Sequence, residues 1–324
     1  MNAILVIRPS SLGDVVHALA IVADIRSHRP ELAIDWVAEE AYAPLVAMDR
    51  GIRRAIPMSF RRWRQHLASR ATWREWSAFR RELRRERYVA ILDLQEQVKG
   101  ALIAAFARGR RHGPDRASIR EPVATLAHDD HHAIDPAQHL IDRCRQLAAA
   151  ALAYPLEGPP RYGIEPPPAA PGAIPERGYI VAIHATSRDD KRWPDEHWRA
   201  LIRGFGEAGY AVLLPWGTDD ERRRSDDLAR AHPLAAVPAR QPLVAMTSLL
   251  ARAELAIGVD TGLVHLAAAL GTPTVALFTA TDPRLAGVER ASPIARDLGD
   301  TGRIPSVDEA RAAAGALLAR VPRC

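Results

Sequence analysis

Apolar runs of strand length alternate with runs of helical spacing along most of the chain, and this alternation constrains the possible fold more than any other feature. Ala3–Arg8 predicts a buried strand, whereas residues 14–28 carry apolar side chains at helical spacing. Further strands are predicted at 32–38, 52–58, 88–94, 179–184, 210–215, 255–259 and 274–278, and further helices at 41–48, 72–87, 98–108, 136–153, 194–208, 219–232, 243–252, 261–270 and 307–320. Such alternation predicts an α/β fold with parallel sheets that helices cover on both faces.

A proline-rich segment interrupts this pattern near the middle of the chain. Residues 155–177 contain eight prolines, a density that prevents helix formation and interrupts sheets. We therefore predict two Rossmann-like domains, residues 1–154 and 178–324, joined by a semi-rigid linker. A length of 324 residues suits two such domains, and we expect a ligand-binding cleft between them at the carboxyl ends of the strands.

The composition is that of an ordinary globular protein, with 48% hydrophobic and 26% charged residues. No apolar run approaches the roughly 18 residues of a membrane-spanning helix, and the apolar start ends at Arg8-Pro9, too early for a secretory signal. We therefore expect a cytoplasmic protein whose membrane contact is peripheral. Cys144 and Cys324 do not make a disulfide framework, so two free thiols are expected, although one bridge remains an alternative.

Positive charge is concentrated in one segment. The net charge is +5 and the pI is about 9.6, but residues 53–87 alone contain twelve arginines against three glutamates. This excess indicates a polyanionic partner, for which nucleic acid, phospholipid and phosphorylated sugar all qualify. A solvated arginine-rich helix is the alternative, because the whole chain has 42 arginines and only two lysines, Lys99 and Lys191.

The first candidate site follows the first predicted strand, where Ser10, Ser11, Gly13 and Asp14 open a helix. Gly13 lets the backbone approach a ligand, and a helix N-terminus offers unpaired N–H groups and the positive end of the helix dipole. Asp14 would then supply a carboxylate at the mouth of the cleft. Helix capping by Asp14 or by the serines is the more common reason for this pattern, so both interpretations stay open.

The second candidate site, residues 184–194, follows the first strand of the second half. Hydroxyl, guanidinium, carboxylate and ammonium groups crowd into this loop, which includes Thr186 and Lys191. A lysine retained in such an arginine-rich chain favours a specific phosphate contact, because an ammonium and a guanidinium are not equivalent at a tight site. A solvated turn is the alternative.

The third candidate site is a strand that ends in Asp260 and is followed by a helix beginning near Gly262. The backbone N–H groups of Thr261, Gly262 and Leu263 could hold a pyrophosphate at the helix N-terminus, and His265 lies one turn further on. An aspartate cap with a packed histidine is the alternative.

A weaker fourth candidate combines an aromatic and an acidic residue. Trp216 could flank a nucleobase and Glu221 could accept hydrogen bonds from ribose hydroxyls. Core tryptophans and acids at helix starts are common, so the structural interpretation is favoured when this signal stands alone.

Several enzyme classes lack their motifs. The sequence contains no GxGxxG, no phosphate-binding GxxxxGK[ST] loop and no CxxC pair, which disfavours nicotinamide and P-loop enzymes and a nucleotide-sugar epimerase or reductase. The histidines and aspartates of residues 128–132 are adjacent on a loop and lack familiar ligand spacing, so we predict no metal site there.

Taken together, these segments resemble the heptosyltransferase family of lipopolysaccharide core assembly over essentially the whole chain. Within that family, the loop from Thr186 to Pro194 is more similar to enzymes that add the first heptose than to those that add the second. The motifs that carry the resemblance are Ser10–Asp14, Asp35–Val37 with Glu39-Glu40, Arg61–Arg64, Arg120–Pro122, His184–Thr186, Asp189–Lys191 with Trp193-Pro194, Leu214–Gly217, and Asp260–Gly262 with His265.

The resemblance implies a GT-B fold, in which two Rossmann-like domains face each other across a cleft. It implies inverting transfer of heptose from ADP-L-glycero-β-D-manno-heptose to the inner Kdo of Kdo2-lipid A, with no metal or other cofactor. The first domain would bind the acceptor and the second the nucleotide sugar. We expect a monomer on the cytoplasmic face of the inner membrane that does not bind nucleic acid.

The resemblance also assigns residue roles. Asp14 would be the catalytic base, and Lys191 would stabilise the departing ADP. Thr186, Trp216, Glu221, Asp260, Thr261, Gly262, Leu263 and His265 would complete the nucleotide-sugar site, and Ser10, Ser11, Gly13, Arg61, Arg62, Arg64, Arg120 and Arg143 would contact the acceptor.

Three positions depart from the family pattern, and two other functions stay open. Glu96 stands where a glycine is usual, Gly258 where a serine is usual, and Thr279-Ala280 where a Gly-Pro is usual. The alternatives are a heptosyltransferase that adds a later core heptose, and a non-catalytic protein that binds polyanions or nucleic acid through residues 53–87.

Overall fold

The computed structural model describes residues 2–169, 175 and 178–320. The chain divides into two compact units, residues 1–165 and 166–324, so the division falls inside the segment predicted as a linker. Residues 170–174 and 176–177 of that segment, like Cys324, lie outside the described residues. The thiol of Cys144 is free, and burial raises its pKa to about 12.

Unit 1 is a six-stranded parallel sheet in the order β3-β2-β1-β4-β5-β6. Its strands are β1 (Ala3–Ile7), β2 (Ala33–Glu39), β3 (Ile52–Met58), β4 (Tyr88–Asp93), β5 (Gly109–Pro114) and β6 (Asp130–His132). Its helices are α1 (Leu12–His28), α2 (Ala43–Val46), α3 (Phe60–Gln65), α4 (Arg70–Leu83), α5 (Val98–Phe106) and α6 (Leu140–Leu152), with a 3-10 helix, η1, at Pro122–Ala127.

Both faces of this sheet are covered, because alternate side chains of the fully buried β1 point to opposite sides. Ile4 and Val6 pack with apolar residues of α1 and α6 on one side. Leu5 and Ile7 pack with α4 and α5 on the other, where Phe79 and Ile103 contribute. A strand buried on both faces must be continuously apolar, which is why β1 is predictable from sequence.

Unit 2 is also a six-stranded parallel sheet, in the order β12-β11-β10-β7-β8-β9. Its strands are β7 (Tyr179–Ile183), β8 (Ala211–Leu213), β9 (Ala235–Ala236), β10 (Leu255–Val259), β11 (Thr274–Phe278) and β12 (Ala295–Gly299). Its helices are α7 (Asp195–Glu207), α8 (Asp219–Ala229), α9 (Leu243–Ala251), α10 (Gly262–Ala269), α11 (Pro283–Ala286) and α12 (Val307–Leu318), with a 3-10 helix, η2, at Asp189–Lys191.

The two sheets have the same topology. Numbering the strands of each unit from one to six in chain order gives 3-2-1-4-5-6 in both, which is the Rossmann order. The order in which strands are added to the sheet reverses between the first and fourth strands, so ligands are expected beyond the carboxyl ends of β1 and β4 in unit 1, and of β7 and β10 in unit 2. The α/β prediction with two Rossmann-like units is confirmed.

The sequence prediction missed short or polar elements. The strands β5, β6, β9 and β12 and the helices α3 and α11 were not predicted. The hexapeptide of β5, Gly109–Pro114, contains three basic residues and no aliphatic one, so its pattern does not indicate a strand. The last helix of unit 1 begins at Leu140 rather than at Pro136, since the His139 side chain accepts a hydrogen bond from the N–H of Ile141.

Within the described residues, no helix combines the length and the apolar character needed to cross a bilayer.

Candidate functional site

The switch point of unit 1 places Arg8 and Asp14 beside each other. Arg8 directly follows β1, is buried, and donates a hydrogen bond to the carbonyl of Leu94, just beyond β4. Its guanidinium lies 3.4 Å from Asp14. The other oxygen of Asp14 accepts hydrogen bonds from the Ser11 N–H (2.9 Å) and hydroxyl (3.0 Å). Asp14 therefore caps α1 as the sequence allows, yet its side chain remains 36% exposed and can meet a ligand.

Lys99, on the helix that follows β4, lies close to Ser10 in the segment between Arg8 and Asp14. It lies on the first turn of α5, and its ammonium donates to the hydroxyl of Ser10 (2.7 Å). The backbone N–H of Ser10 points to the Gln95 side chain (3.4 Å). Burial, opposed by the nearby Glu39 carboxylate, lowers the pKa of Lys99. The loop after β1 and the loop after β4 are thus held together by hydrogen bonds, with a half-buried cation between them.

The predicted acceptor arginines differ in availability. Arg61 lies 6.0 Å from the Tyr42 ring. Arg64 and Arg120 are exposed. Arg62, in contrast, is held between two glutamates, Glu40 at 3.1 Å and Glu75 at 2.9 Å. Arg62 would have to exchange these partners to bind an acceptor phosphate.

Arg143 is paired with Glu96, the residue that departs from the family pattern. Burial raises the pKa of Glu96, although Arg143 and Arg8 favour its ionised form. The backbone of Glu96 has a φ of 59°, in the left-handed region where glycine is at ease. A glycine at this position is therefore the unstrained choice, and the ion pair with Arg143 is what the glutamate provides instead.

The switch point of unit 2 is organised around Asp260, immediately after β10. Its carboxylate accepts hydrogen bonds from Lys191, from Thr281 (2.7 Å) and from His265 (3.1 Å). Burial opposes its ionisation, but these hydrogen bonds outweigh burial and hold the pKa of Asp260 below its ordinary value. The side chain is only 11% exposed. Asp260 therefore fixes the positions of a lysine and a histidine rather than standing free as a base.

Lys191 lies in η2, which a neighbouring loop anchors. The Thr279 hydroxyl donates to the carbonyl of Asp190 (2.8 Å), so one of the residues that depart from the family pattern holds the lysine-bearing segment. Thr186 lies half-buried on the same loop, nearer to β7. Lys191 thus reaches Asp260 at the switch point of unit 2, on the loop that also carries Thr186.

The N-terminus of α10 lies beside Lys191. Thr261 is its N-cap, and its carbonyl already accepts from the N–H of Val264 (3.0 Å) and of His265. Gly262 and Leu263 occupy the first turn, where helical geometry provides no carbonyl for the backbone N–H groups. An anion beside Lys191 can be bound by these amides and by the positive end of the helix dipole.

Gly258 is explained by packing. A Cβ atom there would lie 2.6 Å from Cβ of Ile183 and 2.9 Å from its carbonyl oxygen, on the paired strand β7.

The fourth candidate site has a clear structural role. Glu221 accepts from the N–H groups of Gly217 (2.7 Å) and Thr218 (3.0 Å) through one oxygen, which makes it the acid of a capping box at α8. The Trp216 indole donates to the carbonyl of Pro238 (2.8 Å). A ribose contact would therefore use the second carboxylate oxygen of Glu221, for which the structure gives no hydrogen bond.

The histidines of residues 128–132 have separate structural partners. His128 is fully buried against Asp93 (3.0 Å), whereas His131 and His132 belong to β6. In the part of the chain that the structure describes, no group of three or more His, Cys, Asp or Glu side chains is arranged to hold a metal ion.

The sequence model of glycosyltransferase family 9 (heptosyltransferase) matches residues 76–303. The chain belongs to this family. A related glycosyltransferase, lipopolysaccharide heptosyltransferase 1 of Escherichia coli (strain K12), is 37% identical over 295 residues, covering 88% of this chain and 90% of the relative. Membership makes the chain a glycosyltransferase rather than the alternative non-catalytic polyanion-binding protein.

Solved structures support the same assignment for this family 9 glycosyltransferase. The E. coli heptosyltransferase WaaC with ADP superposes with a TM-score of 0.89 at 33% identity, covering 97% of this chain and 99% of WaaC. WaaC with ADP-2-deoxy-2-fluoro heptose superposes with a TM-score of 0.85, covering 96% and 98%. The predicted GT-B fold class is confirmed.

The sequence analysis assigned no role to three residues of this glycosyltransferase that the structure brings into the two clusters. Lys99 was noticed as one of two lysines but given no role, and its rarity was the signal that could have found it. Arg8 was visible as a charge at the end of an apolar strand. Thr281 had no signal in the sequence, because only the fold brings the loop after β11 to Asp260.

Proposed function

We propose that this chain transfers L-glycero-D-manno-heptose from ADP-heptose to the inner Kdo of Kdo2-lipid A, with inversion at the anomeric carbon. The observation that carries the proposal is the hydrogen-bonded cluster of Lys191, Asp260, His265 and the α10 N-terminus in unit 2, which suits a diphosphate. One relative with the same fold, E. coli WaaC, was solved both with ADP and with ADP-2-deoxy-2-fluoro heptose, which supports the donor.

In the proposed reaction, the acceptor hydroxyl oxygen forms a bond to the anomeric carbon while the bond from that carbon to the diphosphate oxygen breaks. Asp14 accepts the hydroxyl proton as the new bond forms. The electron pair of the broken bond leaves with ADP, where Lys191 and the N–H groups of Gly262 and Leu263 stabilise the growing charge. Thr186 contributes a hydrogen bond to a phosphate oxygen, and Glu221 holds the ribose.

The acceptor carries phosphates and carboxylates, for which unit 1 offers cations. Among the predicted acceptor arginines, Arg61, Arg64 and Arg120 are exposed to such anions, whereas Arg62 and Arg143 are held by glutamates. Lys99 adds a compact charge beside Ser10 and is proposed here as a further acceptor contact. Since Lys191 and the amides supply the positive charge at the leaving group, the transfer proceeds without a divalent metal, and turnover in excess EDTA should be unchanged.

The decisive test incubates the protein with ADP-heptose and purified Kdo2-lipid A, followed by mass spectrometry. The expected product is the acceptor plus one heptose, in the α configuration if the β-linked donor inverts. A product formed only from an acceptor that already carries heptose would instead establish the later-acting heptosyltransferase. The proposal also places the enzyme on the cytoplasmic face of the inner membrane, where fractionation should find it bound peripherally.

A further inference from the structure

Four large aliphatic side chains lie exposed on two neighbouring elements of unit 1. Val98 and Leu102 are four residues apart on α5, and Val123 and Leu126 are three residues apart on η1. An α-helix returns to the same face after about four residues and a 3-10 helix after three, so each pair forms a stripe along one side of its element. Leu126 is 84% exposed, the highest value among the large apolar residues that the structure describes.

The two stripes lie on elements that pack against each other, α5 and η1. Ala101 of α5 packs against Ala124 of η1 and against Ile119. The N–H of Val98 also donates to the carboxylate of Glu121, just before η1 (2.8 Å). Single exposed aliphatic residues are ordinary in folded proteins, but a group of four on adjacent elements indicates an interaction surface.

The outer side of α4 is cationic. Ser77, Arg80, Arg81 and Arg84 share a face of the helix and line a shallow cavity of about 390 Å³. The acids of the same segment do not neutralise it. Glu75 and Glu82 point elsewhere, to Arg62 and Arg54, and the three cavity arginines form no ion pair within the described part of the chain. Guanidinium groups around one cavity favour the binding of phosphate oxygens.

A tryptophan extends this face toward the start of α4. Trp73 lies four residues before Ser77 and is 56% exposed. Its indole N–H already donates to the carbonyl of Leu67 (2.8 Å), and the Leu67 side chain is itself exposed. The ring can therefore leave water without leaving its N–H donor unsatisfied, which suits the interfacial region of a bilayer.

The cationic and apolar surfaces are adjacent. Trp76 of α4 contacts Phe106 of α5 with a ring-centroid separation of 5.2 Å. The guanidinium of Arg80 lies over the same Phe106 ring at 4.9 Å. The helices α4 and α5 thus lie side by side on one face of the sheet, and η1 packs next to α5.

We infer that this outer surface of α4, α5 and η1, here called the docking face, binds an anionic phospholipid bilayer, with Arg80, Arg81 and Arg84 on lipid phosphates and Leu102 and Leu126 in the interfacial hydrocarbon. A nucleic acid also offers phosphates, but it offers nothing to the aliphatic stripes. The inference rests on the proposed function for its purpose, since a lipid-anchored acceptor must be reached at a membrane, although binding itself needs no sugar substrate.

Binding of the full chain is measured by flotation with vesicles of phosphatidylcholine alone and of phosphatidylcholine mixed with phosphatidylglycerol. We expect binding to the mixed vesicles that weakens as salt is raised. Arg81→Gln with Arg84→Gln should weaken this binding about thirtyfold, since each arginine near an anionic surface contributes roughly a factor of five. Leu102→Ser with Leu126→Ser should weaken it by about tenfold or more at every salt concentration.

Matched controls remove the same chemistry from exposed positions of unit 2. Arg203→Gln with Arg240→Gln removes two exposed arginines that form no ion pair within the described residues, and Leu285→Ser with Ile304→Ser removes two exposed aliphatic residues. Both control pairs should leave vesicle binding within about twofold of wild type. Equal losses in the control and docking-face variants would overturn the inference. The inference would also be overturned if the docking-face serine variants bound vesicles like wild type while the docking-face arginine variants lost both RNA binding and vesicle binding.

Turnover separates docking from transfer. The docking-face variants should convert a deacylated, water-soluble acceptor at the wild-type rate, because none of their changed residues belongs to the proposed reaction site. With Kdo2-lipid A embedded in mixed vesicles, the same variants should be slower in proportion to their lost binding. If wild type binds vesicles and both docking-face double variants bind them equally well, the docking face is rejected while the proposed transfer stays intact. Failure of transfer on both acceptors would reject the proposed function without affecting the flotation result.

Discussion

The two units share one strand order but place opposite charges on corresponding strands. In unit 1 the acid, Asp14, follows the first strand and the lysine, Lys99, follows the fourth. In unit 2 the lysine, Lys191, follows the first strand and the acid, Asp260, follows the fourth. The same topology therefore presents an accessible carboxylate in one unit and a fixed cation in the other.

The environment of each acid decides what it can do. Three side chains saturate Asp260, which is 11% exposed and whose pKa is held below its ordinary value. Asp14 is 36% exposed, with one oxygen used for capping by Ser11 and the other 3.4 Å from Arg8. A saturated, buried carboxylate organises cations, whereas a partly exposed one can accept a proton from a ligand.

The largest effect is expected from changing the accessible acid. Asp14→Asn preserves an oxygen that can accept from Ser11, so the capping of α1 should survive. Turnover should fall by about 10²–10⁴, because the amide cannot accept the proton. The affinity for ADP, measured by calorimetry, should stay the same, and wild-type turnover would remove Asp14 from the chemistry.

The two lysines provide a matched pair. Lys191→Met should weaken ADP binding about tenfold or more, since a hydrogen bond to a charged group contributes about 1.5–3 kcal/mol. Lys99→Met should leave ADP affinity unchanged and instead raise KM for the acceptor. Calorimetry with ADP and steady-state kinetics with varied acceptor distinguish these outcomes. If both variants lost ADP affinity equally, the division of labour between the two lysines would be wrong.

Packing between the first and fourth strands of unit 2 is tested at Gly258. Gly258→Ala places a Cβ 2.6 Å from Ile183 Cβ, so the free energy of unfolding should fall by about 1–3 kcal/mol. Gly315→Ala is the control, because its added Cβ meets no atom within 4 Å on an exposed position of α12. That change should stabilise slightly, by about 0.5–1 kcal/mol. Chemical denaturation measures both, and equal effects would contradict the steric explanation.

The smallest effect concerns the residue that directly follows the first strand of each unit. Arg8 is a buried cation, whereas His184 is buried with a pKa lowered to about 4 by desolvation, and it contacts Ser225 at 2.7 Å. The unfolded chain therefore takes up a proton on His184 at a higher pH than the folded chain does. As pH falls from 6.5 to 4, folding stability should be lost progressively.

The test compares the free energy of unfolding of wild type with that of His184→Gln. The titration of all other groups cancels in the difference between the two proteins. The stability of wild type relative to the variant, from chemical denaturation, should decrease as pH falls through this window and stay constant above it. A difference that does not vary with pH would show that His184 is not kept uncharged by folding.

Most of the fold could be predicted because buried parallel strands must be continuously apolar. The fully buried strands β10 and β11 were predicted with the observed bounds, at 255–259 and 274–278. The edge strand β3 was also predicted with its observed bounds, at 52–58, although it carries Arg53 and Arg54. The missed strands β5 and β12 each contain charged residues within a five- or six-residue strand, so their pairing depends on neighbours in the sheet rather than on their own pattern. The predictions for Asp14, Lys191 and the start of α10 rested on their positions after strands, and the structure brings the latter two together.

The sequence by itself determined the alternation of strands and helices, the interruption by prolines, and the placing of charged residues at strand ends, because backbone geometry imposes these patterns locally. Only the tertiary structure decided which of those charges meet. Thr281 reaches Asp260 and Lys99 reaches Ser10 because parallel strands distant in sequence end at the same edge of a sheet. The chemistry of each carboxylate then depends on its burial and partners, which are properties of the folded chain.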